Sequence, residues 1–159
     1  MNYRGHPMTD HSTMPGHLIR RLNQISVAVF AERMAAEGID MTPVQFAALS
    51  QIARTPGLDQ ATLAGAIAYD KATLGGVVDR LVQKGWVQRQ VSTTDRRARV
   101  LSLTDDGAAH VQRITPVVEA LQSDILSGLS EAEKSALISL LTKATEAGNA
   151  RSRAPLRAI

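Results

Sequence analysis

Two short helical segments follow one another between residues 59 and 85, with only a few residues between them. Asp59 and Asp70 are suited to begin helices, and Gly85 is suited to end the second one. Apolar residues recur at helical spacing within the two segments. They are Leu63, Ile67, Leu74, Val77, Val78 and Leu81. Two short helices joined by a tight turn form a helix-turn-helix, and the rest of the fold has to be built around this unit.

The pattern changes at Trp86. The segments 87–91 and 99–103 are short and β-prone, and they flank the polar stretch 92–97. A polar turn between two such segments predicts a two-stranded hairpin.

Positive charge is concentrated on this predicted hairpin. Between Lys84 and Arg99 the chain has five basic residues and a single acidic one, Asp95, which gives a net charge of +4 against +3 for the whole chain of 159 residues. A basic hairpin directly after a helix-turn-helix is typical of a winged helix. In that fold one helix enters the major groove of DNA and the hairpin reaches the phosphates or the minor groove.

Longer helices are predicted on both sides of this unit, so the fold class is mainly α. The predicted organisation has four parts: a flexible arm at 1–14, a winged helix-turn-helix at 39–104, dimerisation helices at 15–38 and 105–147, and a flexible tail at 148–159. The apolar stripes of the outer helices exceed what a small winged helix needs to cover, which favours a homodimer.

Composition excludes several classes of protein. The absence of cysteine excludes a disulfide scaffold, a thiolate zinc site and a thiol redox sensor. The four histidines are too scattered for a metal site, and we predict no cofactor. The sequence has no glycine-rich phosphate loop and no nucleophile elbow, so we predict no catalytic residue and no enzyme activity. With no apolar run long enough to cross a bilayer, we expect a cytoplasmic protein without membrane contact.

The second helix of the pair has an outward face that suits contact with DNA. The candidate residues on this face are Thr73, Gly75, Gly76 and Arg80, and Lys71 is a further candidate at the start of the helix. Thr73 and Arg80 suit a phosphate or a base edge. Adjacent glycines cost helix stability, so they indicate either a tight helix crossing or a close approach to the groove.

Several motifs resemble the MarR (multiple antibiotic resistance regulator) family of bacterial transcription factors, over about residues 18–145. The matching stretches are Asp95-Arg96-Arg97, Leu103-Thr104-Asp105-Asp106-Gly107, Asp70-Lys71-Ala72-Thr73-Leu74, Asp79-Arg80-Leu81 and Lys84-Gly85-Trp86-Val87. The resemblance implies a homodimer that binds a pseudo-palindromic operator in double-stranded DNA. It also implies that Arg97 enters the minor groove while Asp95 orients its guanidinium. Arg96 and Arg99 lie nearby on the same predicted hairpin, residues 87–103, which is called the wing.

The segments 17–24 and 42–49 resemble the branch of the family that regulates aromatic-acid catabolism. This likeness implies release from DNA by a small anionic aromatic acid or its CoA thioester. The candidate contacts are His17, Arg20, Arg21, Gln24, Phe46 and Leu49, with His110 and Arg113 as a second candidate pair. The open alternative is that both groups form ordinary solvated or dimer-facing helix surfaces. For the chain as a whole, the alternative function is a winged-helix module that binds protein rather than DNA.

Overall fold

The computed structural model describes residues 10–92 and 99–159. Within these residues the chain forms six α-helices and three short strands. They are α1 (Pro15–Ala36), α2 (Pro43–Arg54), β1 (Leu58–Asp59), α3 (Gln60–Ala66), α4 (Lys71–Gln83), β2 (Val87–Val91), β3 (Arg99–Leu103), α5 (Asp105–Ile125) and α6 (Glu131–Gly148). Single 3-10 turns lie at His11–Thr13 and Asn149–Arg151.

Local capping chemistry determines where the helices begin. Thr42 and Ser130 form capping boxes at the starts of α2 and α6. The side chains of Asp59, Asp70 and Thr104 accept hydrogen bonds from the first-turn amides of α3, α4 and α5. The helix-turn-helix predicted from these residues is therefore present, and Ala68 in its turn has a positive φ of 50°.

The hairpin belongs to a three-stranded antiparallel sheet, not to the isolated pair that the sequence indicated. Strands β2 and β3 pair from Val87–Leu103 to Val91–Arg99, and β1 adds to the other edge of β3 through Leu58–Leu101. A two-residue strand is too short to show alternation in the sequence, which explains why the pattern did not reveal it.

The core lies where α1, α2, α4 and α5 meet above the sheet. Its fully buried side chains are aliphatic or methionine, in a chain with only 3% aromatic residues. The largest are Met34, Leu49, Ile52, Leu63, Leu74, Leu81, Leu101, Ile114 and Leu121. This packing fixes the inner face of α4 and leaves its opposite face outside.

The outer helices expose apolar surface. In α6 the side chains of Ile138 and Leu140 are 57% and 65% exposed. An open groove of about 700 Å³ runs between α1, the end of α5 and α6, and its apolar lining includes Ile19, Leu22 and Leu141. No helix within residues 10–92 and 99–159 is long and apolar enough to cross a membrane.

The two predicted flexible ends have different outcomes. Of the arm, residues 1–9 lie outside the described residues, while 10–14 form a turn in which the Asp10 carboxylate accepts a hydrogen bond from the Ser12 amide. Residues 148–159 pack against α3, whereas the sequence suggested a flexible tail. The contacts responsible join residues more than 80 positions apart, so no local pattern shows them.

Candidate nucleic-acid interface

The exposed face of α4 is the centre of the candidate interface. Leu74, Val78 and Leu81 are fully buried, which turns Lys71, Thr73 and Arg80 outward. The Thr73 hydroxyl donates to Asp70 Oδ1 at 3.3 Å, so it also takes part in the helix cap. The outward face therefore carries Arg80 and the Thr73 hydroxyl, and Lys71 stands at the start of a helix whose orientation is set by the core.

The two adjacent glycines of α4 differ in their surroundings. Gly76 is exposed, and a Cβ at this position would meet nothing within 4 Å. Gly75 is half-buried, and a Cβ there would lie 3.5 Å from Gln60 Nε2 at the start of α3. Packing thus accounts for part of the surroundings of Gly75, whereas none of the residues 10–92 and 99–159 would obstruct a side chain at Gly76.

The positive charge of the 84–99 region is partly neutralised by acids that are distant in sequence. Lys84 Nζ lies 2.8 Å from Asp40 Oδ2, and Arg89 Nη2 lies 2.5 Å from Asp79 Oδ1. Lys84 lowers the pKa of Asp40, through its hydrogen bond and its charge. Arg99 is exposed at the start of β3. The predicted wing contacts Asp95, Arg96 and Arg97 lie outside the described residues.

The Arg89–Asp79 pair also has a structural consequence. Asp79 is on α4 and Arg89 is on β2, so the pair ties the candidate recognition helix to the base of the wing. The Arg89 charge, which the sequence analysis counted toward the net charge of the hairpin, therefore helps to position α4 relative to β2.

The first candidate effector cluster forms on α1 through Arg20. Its Nη1 donates to Gln24 Oε1 at 3.1 Å, and its Nη2 lies 3.4 Å from His17 Nδ1. Arg21, another of the predicted contacts, is exposed and takes no part in these hydrogen bonds. The helical spacing 17, 20, 24 explains the arrangement.

The apolar residues predicted for the same site, Phe46 and Leu49, are directed to the protein core. Leu49 is completely buried in the core, and Phe46 is half-buried and packed against it. Leu49 therefore supports the core and does not offer a surface to a ligand. Helix α1 packs mainly along α5.

The second candidate pair, His110 and Arg113, is occupied by packing. The His110 ring stacks on Trp86 with centroids 3.9 Å apart and planes inclined by 21°. Arg113 Nη2 lies 3.4 Å from His110 Nδ1. The other ring nitrogen, His110 Nε2, is buried without a hydrogen-bond partner in the described part of the chain. Burial, with Arg113 and Lys84 nearby, lowers the pKa of His110. The ring joins α5 to the base of the wing.

Comparison with known proteins identifies the class of this interface. The model of the MarR family matches residues 41–98, which span α2 to the wing. A protein described as a transcriptional regulatory protein for the hcr operon of Thauera aromatica is 35% identical over 135 residues, covering 84% of this chain and 81% of that protein. The chain belongs to the MarR family.

Two further comparisons extend over most of this MarR family chain. The transcriptional repressor NicR of Pseudomonas putida is 31% identical over 134 residues, 84% of each chain. The structure of Bordetella bronchiseptica BpsR superposes with a TM-score of 0.79 at 31% identity, covering 86% of this chain and 96% of that one. That structure concerns the regulation of BpsR DNA binding by 6-hydroxynicotinic acid.

The sequence did not reveal several contacts of this MarR family chain. Asp40, Asp79 and Arg153 each pair with a residue on another element. Ion pairs between elements have no fixed spacing, so no periodicity could have found them. Trp86 had a usable signal, since it is the only tryptophan and begins the wing. Across residues 10–92 and 99–159, no group of three His, Cys, Asp or Glu side chains could hold a metal ion.

Proposed function

We propose that the chain is a ligand-responsive transcriptional repressor that binds a pseudo-palindromic DNA operator as a homodimer in the cytoplasm. The observation that carries the proposal is the outward face of α4, where Thr73 and Arg80 stand opposite a fully buried apolar stripe and Lys71 is exposed at the start of the helix. In helix-turn-helix proteins the second helix lies in the major groove and presents such a face to the base edges.

Within this proposal, residues 39–104 bind DNA. Lys71 and Thr73 contact phosphates at the start of the recognition helix, and Arg80 contacts a phosphate or a guanine edge. The open space at Gly76 lets the α4 backbone approach the groove closely. On the wing, Arg97 enters the minor groove with Asp95 as its orienting carboxylate, while Arg96 and Arg99 contact phosphates. This division of roles follows the family resemblance.

The outer helices 15–38 and 105–147 join two copies in the same proposal. Exposed Ile138 and Leu140 and the groove between α1, α5 and α6 are supporting observations, because large apolar patches on a small protein mark association surfaces. Size-exclusion chromatography with light scattering should give twice the chain mass of 17.1 kDa. A monomer at micromolar concentration would contradict this part.

The effector we propose is a small aromatic acid or its CoA thioester. NicR and BpsR support an aromatic ligand by their likeness to this chain. Arg20, held between His17 and Gln24, is the group best suited to a carboxylate, because an oriented guanidinium can donate two parallel hydrogen bonds. We further propose that the chain is not an enzyme, since its relatives are named as regulators of transcription.

The deciding experiment is fluorescence anisotropy with the promoter fragment upstream of the chain's own coding sequence. The unmodified protein should bind, and Arg80→Ala or Arg97→Ala should each weaken binding by about tenfold. Lys143→Ala removes the same charge from exposed α6 and should bind as the unmodified protein does. Undiminished binding by both arginine variants would overturn the site assignment. Absence of any salt-dependent DNA binding would favour the protein-interaction alternative.

A further inference from the structure

The segment 149–159 lies on the first helix of the helix-turn-helix. The Arg157 amide donates to the Gly65 carbonyl at 2.9 Å. The aliphatic stem of Arg157 covers the same glycine, since a Cβ built on Gly65 would lie 3.2 Å from Arg157 Cβ and Cδ. Ala61 and Ala64 line the same contact, and Ala64 is buried. This face of α3 consists of small residues, which lets a second backbone approach it.

The segment also closes on itself. Asn149 Nδ2 donates to the Leu156 carbonyl at 2.9 Å, and the Leu156 amide donates to Asn149 Oδ1 at 2.8 Å. The Ala154 amide donates to Ser152 Oγ at 3.1 Å. A paired side-chain amide of this kind replaces the backbone partner that a strand would supply. The loop therefore presents its side chains in a defined direction.

Arg153 reaches the start of α4. Its Nε and Nη2 both lie 3.0 Å from Asp70 Oδ2, while Asp70 Oδ1 accepts hydrogen bonds from the amides of Ala72 and Thr73. One carboxylate thus holds the helix start and the guanidinium together. The Arg153 side chain is 85% exposed even so. A guanidinium has five N–H donors, so three remain directed away from Asp70.

We propose that the 149–159 segment is an additional DNA-contacting element, in which Arg153 and Arg157 bind backbone phosphates beside the major groove that α4 enters. The segment has three arginines and no acidic side chain. In a helix-turn-helix complex the first helix crosses the DNA backbone and the start of the second points at the groove. The segment lies on those two features, next to exposed Lys71. This inference rests on the DNA-binding function proposed above and extends the interface beyond residues 39–104.

The salt dependence of binding tests the inference. The plot of log affinity against log salt has a negative slope, and each phosphate contact that is lost reduces the magnitude of this slope by about 0.9. With the full chain and the promoter fragment, Arg153→Ala/Arg157→Ala should reduce the magnitude of the slope by about 1.8. Arg153→Lys/Arg157→Lys keeps both charges and should have a slope close to that of the unmodified protein. Arg21→Ala/Lys143→Ala removes the same charge from exposed positions outside both 39–104 and 149–159, and it should leave the slope unchanged while light scattering shows the same mass as for the unmodified protein.

Each outcome is informative. A slope in Arg153→Ala/Arg157→Ala equal to that of the unmodified protein would overturn the inference while leaving the proposed function intact. Tighter binding by this variant would also overturn it and would make the segment an inhibitory cover of the helix-turn-helix. If the unmodified protein bound no DNA, the proposed function would fail first. A purely structural role for Arg153 would lower the thermal midpoint and leave the slope unchanged.

Discussion

Gly107 in the first turn of α5 lies against the main-chain carbonyl of Trp86. A Cβ built on Gly107 would stand 2.0 Å from that oxygen and 2.8 Å from the carbonyl carbon. The neighbouring Thr104 amide donates to the same oxygen at 3.1 Å, and the Thr104 hydroxyl donates to the Gly85 carbonyl at 2.6 Å. The Leu-Thr-x-x-Gly motif at 103–107 is thus the joint between α5 and the start of the wing.

The first prediction concerns that joint. Gly107→Ala should destabilise the fold by about 3 kcal/mol, because backbone atoms obstruct the new methyl group and α5 has to shift. Urea unfolding followed by circular dichroism measures the change. Gly128→Ala, where a Cβ would meet nothing within 4 Å, is the matched control and should change stability much less. Equal urea midpoints for the two variants would show that α5 and the Trp86 backbone move apart at little energetic cost.

The second prediction separates stability from DNA binding at Gly76. Gly76→Ala should stabilise the protein by about 1 kcal/mol, because alanine favours a helix interior and the space is open. The same variant should bind the promoter fragment more weakly, since the methyl group would stand between α4 and the groove. Gly16→Ala, also in open space but on α1, should leave DNA affinity unchanged. A Gly76→Ala protein with full affinity would remove the glycine from the interface.

The third prediction concerns the effector. In a thermal-shift screen with benzoates, phenolic acids and their thioesters, a binding compound should raise the melting temperature of the unmodified protein. Arg20→Ala should abolish most of that rise, because Arg20 is the residue that contacts both His17 and Gln24. Arg21→Ala removes an equal charge one position later and should retain more of it. Full stabilisation of the Arg20→Ala protein would place the ligand elsewhere.

The fourth prediction is a pH dependence of stability. Burial of His110, with Arg113 and Lys84 nearby, lowers its pKa from 6.5, so folding favours the neutral ring. The unfolded chain then binds more protons than the folded chain below about pH 6.5. The stabilisation is therefore complete above that pH and is lost as pH falls from there through the lowered pKa.

Urea midpoints measured between about pH 7.5 and about pH 5.5 test this effect. His110→Phe keeps an aromatic ring on Trp86 but has no titrating group, so its midpoint should depend less on pH than that of the unmodified protein. His11→Phe, at an exposed position, should keep the original dependence. If His110→Phe and the unmodified protein lost stability in parallel, other groups would be responsible.

The sequence predicted what depends on neighbouring residues. The helix starts at Asp59 and Asp70 are determined within three positions, and the structure has both caps. The third strand at Leu58–Asp59 forms only because β3 is present beside it. Likewise, nothing near Arg153 in the sequence indicates Asp70, because the contact depends on how the whole fold returns the chain to α3.

In the candidate interface, too, features set by neighbouring residues were predictable from the sequence, and features set by tertiary contacts were not. Periodicity assigned Leu74, Val78 and Leu81 to the buried face of α4, and the structure buries all three, because the helix repeat is intrinsic to the backbone. Val77, predicted inside, and Gly75, predicted outside, are both half-buried. The net charge of the 84–99 region was less informative than its count of basic residues suggested. Asp40 and Asp79 approach it from other elements and neutralise Lys84 and Arg89. Partial neutralisation of this kind depends on tertiary structure alone.

The stacking of His110 on Trp86 has a practical consequence. Because the chain has one tryptophan, its indole emission originates from a single residue. That indole lies between an imidazole at 3.9 Å and the Lys84 ammonium at 5.0 Å, where the wing meets α5. A movement of the wing relative to α5 would alter both neighbours of the chromophore. The protein therefore carries its own optical probe of this junction, and stopped-flow spectroscopy could follow the junction in real time without a dye.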